Sequence, residues 1–134
     1  MWTRYRHPVG NLPLLAGVPR SVARRLGSLM TQVTVPAGQV IVTEGTRNSQ
    51  FVLIDQGVVR VTRGDTLVAE LGVGEFFGEL SLLGDGRANA TVTTVTEVEV
   101  YLSNSVEFDA LLRSALGASI HETAARRSAS DASV

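Results

Sequence analysis

The sequence predicts a mainly β fold: an antiparallel, jelly-roll-like β-roll with short α-helices at both ends and one short helix set between strands. Three observations predict it. Residues 31–103 are rich in Val and Thr and broken at short intervals by Gly, the pattern of many short strands and tight turns. On either side of that stretch the apolar spacing changes to a helical period. Aromatic residues make up only 5% of a chain that is 44% hydrophobic, so the core must be aliphatic.

Taken in order, residues 1–10 carry no periodic pattern and read as an irregular lead-in. Over residues 11–30, Val22, Leu26, Leu29 and Met30 recur at helical spacing, and Pro19 suits a helix start. Turns are marked by Pro36-Ala37-Gly38, Glu44-Gly45 and Gln56-Gly57. In VVRVTR, Val59 and Val61 share one face, with Arg60 and Thr62 on the other. In TLVAEL, Leu67, Ala69 and Leu71 are expected to share a face. Gly64-Asp65 joins these two runs as a hairpin turn, because Gly takes positive φ without steric cost. GELSLL, from Gly78, interrupts the β pattern and reads as one helical turn. In VEVYLS, Val98, Val100 and Leu102 point one way.

Asn104 with Glu107 three residues later is a capping-box start, and Phe108, Leu111 and Leu112 form the apolar stripe of the helix that follows. A second helix is expected over residues 114–127, with Leu116, Ile120 and Ala124 on one side and Gly117 weakening it. The pairs Arg24-Arg25 and Arg126-Arg127 read as solvated helix faces. SASDASV, residues 128–134, reads as a flexible tail.

Composition excludes several function classes. A length of 134 residues fits one domain, here residues 11–127. The net charge of -1 lacks the basic excess of a nucleic-acid binder. All 12 basic residues are Arg, a side chain suited to phosphate. There is no Cys, and His7 and His121 stand at opposite ends, so no thiolate or His-rich metal site is expected. No apolar run approaches the roughly 18 residues of a membrane span, and the N-terminus does not read as a signal peptide. A cytoplasmic location without membrane contact is therefore expected.

The chemistry concentrates in residues 74–95, GEFFGELSLLGDGRANATVTTV. A Gly ends a β run and opens a helical turn, whose first N–H groups are unsatisfied and suit an anion. Gly78 has no Cβ, so a ligand can approach its backbone closely. Glu79 makes sense as an acceptor for neutral hydroxyls such as those of a ribose. Arg87 follows the loop Gly84-Asp85-Gly86 and can engage a phosphate through two nitrogens. Anion hole, hydroxyl acceptor and cation together describe a sugar-phosphate site. Each has a plainer reading. Glu79 suits a helix dipole, Arg87 a solvated loop, Ser81 a helix surface, and Phe76 and Phe77 the core. No His or Lys base accompanies Ser81, which argues against catalysis.

Phe77-Gly78-Glu79-Leu80-Ser81-Leu82-Leu83 followed by Arg87-Ala88-Asn89-Ala90-Thr91-Val92 resembles the phosphate-binding cassette of the cyclic-nucleotide-binding domain family. That family spans catabolite-activator-type regulators, regulatory subunits of cAMP-dependent kinase, and cyclic-nucleotide-gated channels. PAG, IVTEG and FVLIDQGVVRV upstream resemble its opening strands. The resemblance implies a non-catalytic, ligand-sensing module for cAMP, with cGMP as the alternative ligand, and makes the short helix a phosphate-binding one. By the same resemblance Glu79 takes the ribose 2′-hydroxyl, and backbone amides of Gly78, Leu80 and Ser81 meet phosphate or ribose. Arg87 neutralises the phosphate, Ala88 lies near phosphate and base and favours cAMP, and Val61 and Val68 line the apolar pocket. One departure stands out: the run from Arg87 to the Thr91-Val92 pair is a residue longer than the family's R-A-A-T-V, which puts Ala88 in the usual Arg slot if the strand keeps register. The expected partners are the nucleotide and an effector protein, with a homodimer through the small-residue-rich last helix as one arrangement. Two alternatives stay open: a fragment of a transcription regulator lacking its helix-turn-helix, and an interaction module that has lost its nucleotide. A cupin-like enzyme is disfavoured by the lack of a His/Glu metal set.

Overall fold

The Val- and Thr-rich stretch resolves into strands in a computed structural model that describes residues 3–4, 28–48, 50–78, 82–114 and 117–128. Among these residues the strands are β1 (Thr3–Arg4), β2 (Thr31–Val35), β3 (Val40–Val42), β4 (Phe51–Gln56), β5 (Val59–Arg63), β6 (Thr66–Leu71), β7 (Phe76–Phe77), β8 (Thr91–Thr94) and β9 (Val98–Ser103). Two helices follow, α1 (Ser105–Leu112) and α2 (Gly117–Ser128). The strands form two sheets, ordered β1-β2-β9-β4-β7 and β3-β8-β5-β6. Every pairing is antiparallel. The predicted roll is thus the observed one, and Thr3–Arg4 add a short strand within the expected irregular lead-in.

The five-stranded sheet is buried on both faces, which explains why β4 opens with four consecutive apolar residues. Alternate side chains leave opposite faces of a strand. Val52 and Ile54 accordingly join Val33, Val35, Val98, Val100 and Phe77 against Val59, Val61, Leu71 and Val92 of the other sheet and Ala90 just before β8. Phe51 and Leu53 turn the other way, to Phe76, Tyr101, Phe108, Leu111 and Ile120 beneath the helices. Phe51 lies between Phe76 and Phe108 with ring centroids 5.3 and 5.0 Å apart. Phe76 and Phe77, adjacent in sequence, serve one core each.

Three expectations are corrected. Leu67 does not share a face with Ala69 and Leu71. Val61 pairs with Ala69 but Thr62 with Leu67, so Val68 is an extra, bulged residue. The bulge turns Leu67 outward, 55% exposed. Gly117 does not weaken the middle of a helix. It is the first residue of α2, and a Cβ there would overlap the Leu112 carbonyl at the end of α1. Arg127 is not solvated: it is only 8% exposed, with its guanidinium 5.3 Å above the Phe76 ring. Other details agree. Gly64-Asp65 joins β5 to β6. Asn104 caps α1 reciprocally with Glu107, at 2.8 and 2.9 Å. The expected N-terminal helix over residues 11–30 falls largely outside the described residues, as do Leu116 and residues 129–134.

Candidate functional site

The segment between β7 and β8 leaves the roll and returns to it on either side of one turn. At departure, Gly78 is buried at φ +94°, packed against Gln50. A Cβ there would overlap the Gln50 carbonyl oxygen and lie 3.1 Å from Asn48 Nδ2. Gly is therefore required twice over, by backbone conformation and by space. The Leu82 N–H donates to the Gly78 carbonyl at 3.2 Å, an i→i−4 bond consistent with the predicted helical turn. Glu79, Leu80 and Ser81, expected to carry the hydroxyl and phosphate contacts, lie outside the described residues.

On return, residues 86–88 run antiparallel to residues 45–48. The Asn48 N–H donates to the Gly86 carbonyl at 2.8 Å, and the Ala88 N–H to the Thr46 carbonyl at 2.9 Å. The Gly45 N–H donates to the Ala88 carbonyl, also at 2.9 Å. Gly45 and Thr46 thus both oppose Ala88, a bulge, and Arg47 stands opposite Arg87.

Asn48 ties the two ends of the segment together. It is a buried polar residue whose side chain donates to the Gln50 carbonyl at 3.1 Å and accepts from the Gln50 N–H at 3.2 Å. Its backbone holds the return while its side chain shapes the turn against which Gly78 departs. The sequence reading passed over it. The available signal was a short polar residue just before a buried strand, where an Asx-type turn is favourable.

The remaining expected site residues divide by strand parity. Val61 is fully buried on β5 and faces the roll interior, and the bulged Val68 packs against the same cluster. Along the return, Ala88, Ala90, Val92 and Thr94 are buried while Arg87 and Asn89 are exposed. Ala90 and Val92 belong to the interior cluster with Val61, and Ala88 is buried, 5% exposed. Arg87 is exposed; its Nη1 donates to the Gly45 carbonyl at 3.0 Å and its backbone N–H to Asp85 Oδ1 at 2.9 Å. Val61 and Val68 thus share one interior surface, Ala88 is buried on the return, and the Arg87 side chain is exposed. Among the described residues no helix is long and apolar enough to cross a membrane.

Comparison with known proteins agrees with this geometry. The family model of the cyclic nucleotide-binding domain matches residues 32–115, from β2 through α1. The chain is 36% identical over 129 residues to a cyclic nucleotide-gated potassium channel of Rhizobium etli, covering 89% of this chain and 36% of the channel. It is 33% identical over 103 residues to a cAMP-dependent protein kinase regulatory subunit of Yarrowia lipolytica, covering 75% of this chain and 28% of the subunit. Among solved structures, the catabolite activator protein of Thermus thermophilus superposes with a TM-score of 0.75 at 28% identity, over 86% of this chain and 57% of that one. The chain therefore spans about a third, or less, of the curated relatives' length. The two-sheet roll, the glycine-opened segment between β7 and β8, and the matched residues agree: the chain belongs to the cyclic nucleotide-binding domain family.

Proposed function

We propose that the chain is a non-catalytic regulatory module that binds cAMP in preference to cGMP and passes occupancy to an effector through its C-terminal helices. The observation that carries this reading is the segment between β7 and β8, opened by Gly78 at positive φ and returning at the buried Ala88, on a roll whose interior is packed by Val61 and Val68. Apolar side chains combined with a glycine-opened backbone turn suit a ligand with an aromatic face and a polar edge. In this reading Glu79 accepts the ribose 2′-hydroxyl, and amides of Gly78, Leu80 and Ser81 turn to the phosphate. Ala88 offers no hydroxyl to a guanine amino group, which favours adenine. The kinase regulatory subunit among the relatives is cAMP-dependent by name, which supports the choice of nucleotide.

Titration calorimetry with cAMP and cGMP tests the proposal. Saturable binding, tighter for cAMP, is expected. No heat and no thermal shift at millimolar ligand would leave the second reading, an interaction module that has lost its nucleotide. One observation favours that reading: the guanidinium expected at the phosphate is engaged by the Gly45 carbonyl.

A further inference from the structure

The segment between β7 and β8 leaves and returns through glycines in the left-handed region, Gly78 at φ +94° and Gly86 at φ +82°. Glycine is the most permissive backbone residue, so neither end fixes the direction of the chain by itself. Asn48 stands at both ends. Its backbone N–H donates to the Gly86 carbonyl at 2.8 Å. Its side-chain amide closes on Gln50 twice, Nδ2 donating to the carbonyl at 3.1 Å and Oδ1 accepting from the N–H at 3.2 Å. The Gln50 carbonyl is the group that a Cβ on Gly78 would overlap, and Nδ2 lies 3.1 Å from the same point. That carbonyl and the Asn48 amide therefore form the wall against which Gly78 turns. Asn48 is 9% exposed, and its short side chain offers one group that donates and one that accepts. An ionised Asp lacks the donor, and Ser and Thr make such local bonds more weakly.

We infer that Asn48 is a positioning residue for the nucleotide's phosphate: by locking its own backbone to Gln50 it sets where Gly78 and Gly86 stand relative to each other. The inference rests on the reading that the chain binds a cyclic nucleotide, whose polar contacts that reading assigns to Gly78, Glu79, Leu80 and Ser81, between the two ends. A backbone amide serves a phosphate best when it is aimed before the ligand arrives, because each unaimed conformer lowers the apparent affinity by its share of the population. Without the Asn48 amide the two glycines keep a freedom that the ligand itself must remove. The phosphate depends on that aim more than the base does. Hydrogen bonds weaken steeply with misalignment, whereas burial of apolar surface is non-directional.

Calorimetric titration of the whole chain with cAMP and with adenosine, which lacks the phosphate, tests the assignment at a temperature where every variant is folded. Asn48→Ala removes both side-chain bonds and is expected to weaken cAMP about three- to thirtyfold, the net effect of one or two hydrogen bonds. The loss for adenosine should be smaller. Asn48→Ser can still accept from the Gln50 N–H, so its cAMP affinity should fall between Asn48→Ala and wild type; it reads the same contact should the Ala variant fail to fold. Thr94→Val is the matched control. Thr94 is 2% exposed, and its hydroxyl donates to the Pro36 carbonyl at 2.7 Å and accepts from the Gln39 N–H at 2.9 Å. The change thus removes comparable buried bonds elsewhere in the roll, and it should leave both affinities within about twofold of wild type. Unchanged cAMP affinity in folded Asn48→Ala overturns the inference and leaves the proposed function standing. Equal losses for cAMP and adenosine, or a matching loss in Thr94→Val, would mark a general effect on the fold and overturn the inference as well. If the wild type takes up no cAMP, both fall.

Discussion

Asn48 holds two segments with one residue. Its backbone N–H fixes Gly86, and its side chain both donates to and accepts from Gln50, whose carbonyl is packed against Gly78. Replacing it with Ala leaves the part-buried Gln50 carbonyl and N–H without those partners, which costs about 1–3 kcal/mol. Asn48→Ala should therefore lower the urea midpoint of unfolding by that free energy, and a loss under half a kcal/mol would show that water substitutes for the side chain. Individual residues were unevenly legible in the sequence. Val59 and Val61 announced the inner face of β5 by alternation. Arg87 was legible as a residue type, but its direction depended on the register of the return. That register is set by a bulge at Gly45 and Thr46 forty residues upstream.

At the scale of elements, pattern decided most strands and local packing decided the exceptions. The two faces of β9 and β5 could be read from period-2 alternation because each strand is regular where it lines the core. β6 could not, since its bulge at Val68 inverts the parity of Leu67 and bulges leave no fixed residue signature. Gly117 shows the same limit in a helix. Intrinsic propensity says that Gly→Ala in a helix gains up to about 1 kcal/mol. The close approach of the Leu112 carbonyl says otherwise, because an added methyl must displace backbone of α1 rather than a flexible side chain. Overpacking of that kind typically costs about 1–3 kcal/mol, and it outweighs the propensity term. Gly117→Ala is thus expected to lower the midpoint of thermal unfolding. A raised midpoint would mean that α1 and α2 can separate at no cost.

The whole molecule is built around one sheet with a core on each face, and the two cores meet at Phe76-Phe77, immediately before Gly78. Phe77 enters the roll interior, while Phe76 enters the cluster under the helices and carries Arg127 of α2 above its ring. A ligand that bears on Gly78 also bears on Phe76, two residues away, and through it on the last turn of α2. Such coupling requires only that the ligand prefer one arrangement of the helices over another. A cation over an aromatic face contributes about 0.5–2 kcal/mol depending on desolvation, enough to bias α2 without fixing it. Saturating cAMP should then slow amide hydrogen exchange in α2. Arg127→Ala should bind cAMP with little change yet lose most of that slowing. Arg126 is exposed on the same turn, so Arg126→Ala is the matched control and should behave as wild type. Equal slowing in Arg127→Ala and wild type would place the coupling elsewhere, in the shared packing of Phe51, Phe108 and Ile120 rather than in the contact between Arg127 and Phe76.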